Sequence, residues 1–248
     1  MGALAPNIEM ANAITGIAYS LKELNRVEEA TQVLDGAIDL LREGCYPFVG
    51  DTLRTKASWL EIAGRYEEAI ATYLEAVQIN EIDGETEFVG RDLLAISLCF
   101  SKMSRWEEVI EHASRAREHF KKEKLVDEVA ICEVQIAHAY IETGHVELAL
   151  DIAQRAHDIG EIRRNESVKV HSAIALGKIY RLTEKYQEAE ERFEEAREIT
   201  SGSDDWETVI TIEREFIKLL TVQEKLSEAE EVERRLKSLL EVIECNQI

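Results

Sequence analysis

Proline is scarce in this sequence, and no window alternates strictly between apolar and polar residues. The 248 residues contain two prolines, Pro6 and Pro47, while Ala, Glu, Leu and Ile, which suit helices, are frequent. Because the half-buried strands of a β-sheet protein need that alternation, a fold built on sheets is excluded. The sequence therefore predicts an all-α fold.

Long apolar runs and a leader segment are also missing. A bilayer-spanning helix needs about 20 apolar residues, and no run in this sequence approaches that length. The start of the chain, MGALAPNIEMANA, lacks the basic flank and apolar stretch of a signal peptide. We therefore expect no membrane partner and a cytoplasmic location.

Motifs for catalysis, phosphate binding and metal binding are absent as well. The sequence contains no GxxxxGK[ST], GxGxxG or HExxH pattern and no recognisable nucleophile motif. Its four cysteines form no CxxC pair, and its six histidines are scattered, so neither a disulfide framework nor a zinc site is indicated. We expect a protein that is not an enzyme and that needs no cofactor and no metal.

Positive charge is in short supply. The chain has 50 Asp and Glu residues against 29 Lys and Arg, which gives a formal net charge of -21. Such a surface repels nucleic acid, so no nucleic-acid partner is expected. The acidic surface either serves solubility alone or attracts a basic partner, and the composition leaves both alternatives open.

A small residue returns about every 40 positions along the whole chain. A second small residue follows seven positions later in most cases. A period of this length is typical of one helical supersecondary unit that repeats along a solenoid. The first series is Ala30, Ala69, Val109, Ala149, Ala189 and Ala229, and the second is Ala37, Ala76, Ala116, Ala156 and Ala196.

Each unit resembles the tetratricopeptide repeat, in which small residues lie where helices A and B cross and bulky residues flank them. The second unit shows the pattern clearly, with Leu53, Ala57, Leu60, Gly64, Tyr66, Ala69, Tyr73 and Ala76 at the signature positions. The usual repeat has 34 residues, whereas this one has about 40. In that respect it is similar to the extended repeats of kinesin light chains and of bacterial peptide-sensing regulators of the Rap type.

The resemblance implies a right-handed α-solenoid of six helix–turn–helix repeats with about 12 helices. It covers the chain as a single superhelical domain over residues 1–248. The expected repeats are residues 11–49, 50–89, 90–129, 130–169, 170–209 and 210–248.

The resemblance also implies that a ligand would lie in a concave groove lined by one stripe of each helix A. We call this set of positions the A-helix stripe. It carries the bases Lys22, Arg54, Arg91, Lys102, Lys178, Arg181, Arg214 and Lys218, and the acids Glu23, Asp51, Glu61 and Glu142. Bases outnumber acids there, in contrast to the whole chain, and a basic concave strip selects anionic ligands.

The sequence therefore predicts a protein- or peptide-binding scaffold with a groove that is apolar in the centre and basic toward the C-terminal end. A partner with apolar anchors and an acidic segment would fit it. The candidate binding residues are Arg54, Arg91, Leu94, Leu98, Lys102, Val134, His138, Ile141, His171, Ile174, Lys178, Arg181, Arg214 and Lys218.

Three alternatives stay open. The bases of the stripe could pair with neighbouring glutamates, and extended helices could bury its apolar residues. The chain could also be a ligand- or peptide-sensing regulatory domain of a larger signalling protein. The oligomeric state is undetermined, with weak self-association through the solenoid ends as one option.

Overall fold

The computed structural model describes residues 5–44 and 48–246, and every regular element in those ranges is an α-helix. This confirms the predicted all-α fold of about 12 helices within the described residues. None of these helices combines the length and apolarity that crossing a bilayer requires. The helices are α1 (Ala5–Glu23), α2 (Val27–Glu43), α3 (Val49–Ile62), α4 (Tyr66–Asp83), α5 (Thr86–Lys102), α6 (Trp106–Lys122), α7 (Val126–Glu142), α8 (Val146–Arg163), α9 (Glu166–Leu182), α10 (Tyr186–Ile199), α11 (Trp206–Val222) and α12 (Leu226–Asn246).

The helices alternate between the A and B positions of the predicted repeat. The chain divides into two compact units, Met1–Gln135 and Ile136–Ile248. Inside the first unit α1 packs on α2, α3 on α4 and α5 on α6, and α3 also contacts α5. Inside the second, α9 packs on α10 and α11 on α12, and α9 contacts α11. Each of these helices thus packs on a neighbour in sequence, which is the arrangement of an α-solenoid. The prediction of one domain over residues 1–248 stays a prediction.

The recurring small residues lie where helices A and B cross, as the sequence predicts. The first series is between 0% and 1% exposed from Ala30 to Ala189, and the last member, Ala229, is 7% exposed. Every alanine of the second series is 0% exposed. A larger side chain at these positions would overpack the crossing and cost about 1–3 kcal/mol. The small residues that recur about every 40 positions therefore mark the places where the helices cross.

One left-handed residue ends helix A in every repeat. Gly64, a signature position of the second unit, and its equivalent Gly144 have φ angles of 74° and 79°. The next residue donates its N–H to the carbonyl oxygen five positions earlier, as in Arg65 to Leu60 at 2.9 Å. This is the Schellman pattern that closes a helix C-terminus. The four equivalents that are not glycine adopt the same conformation, with φ between 56° and 60°: Asn25, Ser104, Glu184 and Glu224.

The last helix buries one face and exposes a charged one. Ala229, Val232 and Leu236 of α12 are buried, and the first two pack against Phe193 and Phe216. The residues between them are exposed and mostly charged, as a terminal repeat requires for solvation. They include Glu230, Glu231, Glu233, Arg234, Arg235 and Lys237.

Candidate functional site

In the first unit, the predicted stripe residue Arg54 is the centre of a buried polar network. Its guanidinium donates to both carboxylate oxygens of Asp92, at 2.5 and 3.2 Å, and to Asp51 at 2.8 Å. Asn80 donates to the same Asp92 carboxylate at 2.8 Å, and Arg54 lies over the ring of Phe88. Asp92 is fully buried. Burial raises the pKa of Asp92, and the hydrogen bond from Arg54 opposes that rise. This network joins α3, α4 and α5.

The other two bases of this unit that the sequence singles out are exposed. Arg91 donates to Glu87 one turn earlier on α5 and lies 3.6 Å from a carboxylate oxygen of Glu128 on α7. Exposed pairs of this kind contribute little to stability. Lys102 is exposed at the end of α5. Burial raises the pKa of Glu61, and the positive charge of Lys102 opposes that rise. Both bases are therefore accessible to a ligand.

In the second unit, Lys178, His138 and Glu142 form a half-buried cluster between α7 and α9. The Lys178 ammonium donates to Glu142 at 2.9 Å and to Nε2 of His138 at 3.2 Å. Burial and the neighbouring Lys178 lower the pKa of His138, which therefore stays neutral. Lys178 itself is buried, with 8% of its surface exposed. His171 lies on the exposed side of α9 and donates from Nδ1 to the carbonyl oxygen of Ser167.

Two bases of the second unit share one buried carboxylate. Arg181 and Lys218 donate to the two oxygens of Glu215, at 3.2 and 2.6 Å, and the Glu215 side chain is 6% exposed. Arg214 is exposed, and among the described residues no carboxylate pairs with it. The buried Nε of Arg181 has no hydrogen-bond partner in the described structure. Two positive charges therefore share one carboxylate at this point of the stripe, and Arg214 adds an exposed positive charge on the same helix.

The apolar residues of the predicted groove are largely packed inside the two units. Leu94 and Leu98 of the first unit are half-buried, and Val134 is 7% exposed. In the second unit Ile141 and Ile174 are each 7% exposed. These side chains thus complete the interface between neighbouring helices more than they offer surface to a ligand.

Two acids that pair with the stripe, Asp92 and Glu215, were not among the predicted residues. Both lie on helix A but outside the stripe, so helical periodicity assigns them to the packed side. An acid on the packed side of a helix predicts a nearby base, because a buried carboxylate needs a cationic partner. That signal would have indicated that Arg54 and Arg181 pair inside the protein.

One group of side chains has the geometry of a metal site. His157, Glu161 and Glu195 each offer a ligand atom, and these atoms lie within 4.8 Å of one another. Both carboxylates already have cationic partners, since Lys169 pairs with Glu161 at 2.5 Å and Arg192 with Glu195 at 2.6 Å. A metal ion would have to displace both bases. The expectation that the protein needs no metal stays a prediction.

The cavities beside the turn at residues 200–205 are small. They measure about 270 and 220 Å³ and are lined by residues such as Thr200, Ser203 and Trp206. Sites for drug-sized molecules and cofactors occupy about 300–1,000 Å³. Neither cavity is large enough for a typical organic cofactor.

Family models of the tetratricopeptide repeat match residues 128–202 and residues 56–83. The matched ranges contain α4, α8, α9 and α10 in full, most of α7 and the second half of α3, with the buried alanines and left-handed turns described above. The chain therefore contains tetratricopeptide repeats in these two ranges. No curated protein matches the sequence significantly.

Solved structures with similar folds have low sequence identity to this chain. A putative kinesin light chain from Podosopora anserina, with nearly identical TPR-like repeats, is 17% identical, with a TM-score of 0.64 over 79% of this chain and 97% of that one. The apo form of RapI is 15% identical, with a TM-score of 0.75 over 96% and 85%. Aspartyl phosphate phosphatase F from Bacillus subtilis is 14% identical, with a TM-score of 0.70 over 94% of this chain and 60% of that one. At such identities the likeness shows the fold alone.

Proposed function

We propose that this chain is a non-enzymatic interaction module that binds an acidic segment of a partner protein on the A-helix stripe of α9 and α11. The tetratricopeptide repeat is generally a scaffold without catalytic activity and binds proteins or peptides. The proposal adds the location and the chemistry of the ligand. It includes a cytoplasmic location, which the buried free thiols of Cys99 and Cys132 support, because free thiols suit a reducing compartment.

The observation that carries the proposal is the charge surplus around Glu215. Arg181 and Lys218 share its single carboxylate, and Arg214 adds a third positive charge that is exposed. In a chain with a net charge of -21, this point attracts anions while the rest of the surface repels them. A carboxylate of a partner would supply the missing negative charge.

Arg214→Glu tests this proposal without disturbing the fold, because Arg214 is exposed and holds no buried carboxylate in place. The partner is first captured from a native lysate, and its acidic segment is then synthesised as a labelled peptide. Fluorescence anisotropy measures the affinity of that peptide for each variant. We expect Arg214→Glu to weaken binding at least about tenfold, since a favourable charge contact becomes a repulsive one.

Arg234→Glu is the matched control, since it makes the same charge change on the exposed face of α12. It should leave the affinity of the peptide unchanged. The affinity of the wild type should also fall between about 50 and about 300 mM salt, because exposed charges are screened. Equal binding by wild type and Arg214→Glu would exclude this site. A captured ligand that is a small molecule would instead favour the sensing function.

A further inference from the structure

Three electron-pair donors of the second unit converge on one point between α8 and α10. His157 and Glu161 lie about one turn apart on α8, so their side chains leave the same face of that helix. Glu195 of α10 faces them, and the three ligand atoms lie within 4.8 Å of one another. An imidazole nitrogen together with carboxylate oxygens is a set of ligands that Zn²⁺ accepts.

The imidazole of His157 is buried and held in one orientation. Its Nδ1 lies 3.2 Å from the hydroxyl oxygen of Ser172, and that hydroxyl donates its own hydrogen to the carbonyl oxygen of Lys169 at 3.0 Å. Nδ1 is therefore the donor of this pair, and Nε2 carries the lone pair, which accepts a hydrogen bond from Arg192 at 3.3 Å. Metal-binding histidines are oriented in this way, by a hydrogen bond that the other ring nitrogen donates. His157 is 6% exposed and Ser172 is 0% exposed, so the orientation is built into the fold.

The same point already holds positive charge from the chain itself. Nε2 of His157 and the nearer oxygen of Glu195 are both acceptors and lie 3.5 Å apart, so they repel each other unless a cation lies beside them. Arg192 supplies that cation, since it also donates to Glu195 at 2.6 Å. Lys169 does the same for Glu161 at 2.5 Å. Both pairs are partly exposed, so each contributes little, and both bases can turn into water when another cation takes their place.

We propose that His157, Glu161 and Glu195 bind Zn²⁺, which takes the place of Arg192 and Lys169. Three protein ligands leave the fourth position of a tetrahedral site to water. The imidazole ligand favours Zn²⁺ over Mg²⁺ and Ca²⁺, which prefer oxygen ligands alone. The ion would connect α8 to α10, the B helices of two successive repeats. All three ligands lie on helices B, outside the A-helix stripe, so this proposal and the acidic-peptide site can fail independently.

Isothermal titration calorimetry of the whole chain with ZnCl₂, after treatment with EDTA and dialysis, tests the proposal. We expect one ion per chain with a dissociation constant of roughly 1–100 µM, because the site has one protein ligand fewer than a structural zinc site. His157→Gln should abolish this binding, whereas the same substitution at the exposed His145 should leave it unchanged. Glu195→Gln should weaken it at least about tenfold, because a ligand loses its charge. Far-UV circular dichroism checks that each variant keeps the helical fold.

Arg192→Gln distinguishes a metal site from a purely structural cluster. Removing the competing base should tighten Zn²⁺ binding about two- to fivefold, which corresponds to the loss of a partly exposed ion pair. Arg234→Gln is the matched control, since it removes the same charge from the exposed face of α12. Weaker binding by Arg192→Gln than by wild type would contradict the displacement of this base.

X-ray absorption spectroscopy of the zinc complex identifies the ligand atoms. We expect nitrogen and oxygen at about 2.0–2.2 Å and no sulfur at about 2.3 Å, and a sulfur shell would place the ion on cysteine instead. A wild-type chain that binds no Zn²⁺ at about 1 mM overturns the proposal. Equal binding by wild type, His157→Gln and Glu195→Gln overturns it as well.

Discussion

At the scale of single residues, the ion pair of Arg54 and Asp92 has one half-exposed end and one buried end. The Arg54 side chain is 23% exposed, while the Asp92 side chain is 0% exposed. Removing Arg54 would leave a carboxylate inside the protein with only Asn80 as a hydrogen-bond donor among the contacts described. Loss of one partner of a buried pair is costly because the remaining charge keeps its desolvation penalty.

Arg54→Ala should lower the free energy of unfolding by about 3 kcal/mol, measured by urea denaturation of the whole chain. Arg91→Ala should change it by less than about 0.5 kcal/mol, because the pairs of Arg91 are exposed. Arg54→Leu with Asp92→Cys places at this junction the residues found one repeat later, Leu94 and Cys132. This double variant should recover most of the loss. If Arg54→Ala lowered the free energy of unfolding as little as Arg91→Ala, the Asp92 carboxylate would have to reach water or another hydrogen-bond donor.

Residue identities predicted the stripe but not its pairing. Helical spacing and the resemblance to the tetratricopeptide repeat predicted Arg54, Arg181 and Lys218 as stripe residues, and the structure places each beside an acid. Which acid each base contacts depends on the stagger between neighbouring repeats. The sequence period does not contain that stagger, so Asp92 and Glu215 could not be assigned from spacing alone.

At the scale of helices, two glycines at helical positions have opposite surroundings. A Cβ atom added at Gly177 in α9 would lie 2.5 Å from the Phe193 ring of α10, which is fully buried. A Cβ atom added at Gly36 in α2 would have no neighbour within 4 Å. Gly177 thus permits the crossing of two helices, whereas Gly36 only adds conformational entropy to the unfolded chain.

The same substitution should therefore have opposite effects at these two glycines. Gly177→Ala should destabilise the protein by about 1–3 kcal/mol, because the crossing becomes overpacked. Gly36→Ala should stabilise it by about 0.5–1 kcal/mol, because alanine favours the helix. Thermal and urea unfolding of the two variants measure both. Stabilisation by Gly177→Ala would mean that Phe193 can move aside at little cost.

Helix boundaries and turns were predictable because the same sequence pattern recurs at the same positions of each repeat. Gly64 and Gly144 indicate the left-handed turn directly. Ser104, Glu184 and Glu224 give no such local signal, and only their register with the glycines identifies them. Since a left-handed conformation costs a non-glycine residue about 1–2 kcal/mol, the turn is imposed by the packing of helices A and B rather than by the local sequence.

At the scale of the whole molecule, net charge and individual ion pairs act in opposite directions. Many acids have basic partners, such as Glu142 with Lys178 and Glu213 with Arg197. Acids nevertheless outnumber bases, 50 to 29, so the excess negative charges repel one another. Salt screens the attraction within exposed pairs and the repulsion among the excess acids alike. Because exposed pairs contribute little, relief of the repulsion should be the larger effect.

The melting temperature should therefore rise by roughly 2–5 °C when sodium chloride is raised from about 10 to about 300 mM. Differential scanning calorimetry measures it directly. Potassium chloride should give the same rise, because screening depends on ionic strength and not on the cation. A fall in melting temperature would show that the ion pairs outweigh the repulsion.

The sequence contained the architecture of the molecule but little of its recognition. The repeats and their fold follow from the small residues that return at a fixed interval from Ala30 to Ala229. Each further repeat in the same register strengthens the prediction made from the others. A binding site has no such repetition, because a ligand contacts particular residues once. The sequence predicted the basic end of the stripe, but not that Arg181 and Lys218 share the buried carboxylate of Glu215.

The buried thiols of the first unit have a use in measuring its motions. Cys99 and Cys132 are fully buried on α5 and α7, and burial raises the pKa of each thiol to about 12. Alkylating reagents react with the thiolate, so neither sulfur can be labelled until its helix separates from its neighbours. The rate of labelling is thus proportional to the fraction of time that each helix spends detached. Mass spectrometry of the labelled chain would time the opening of two adjacent repeats without any engineered probe.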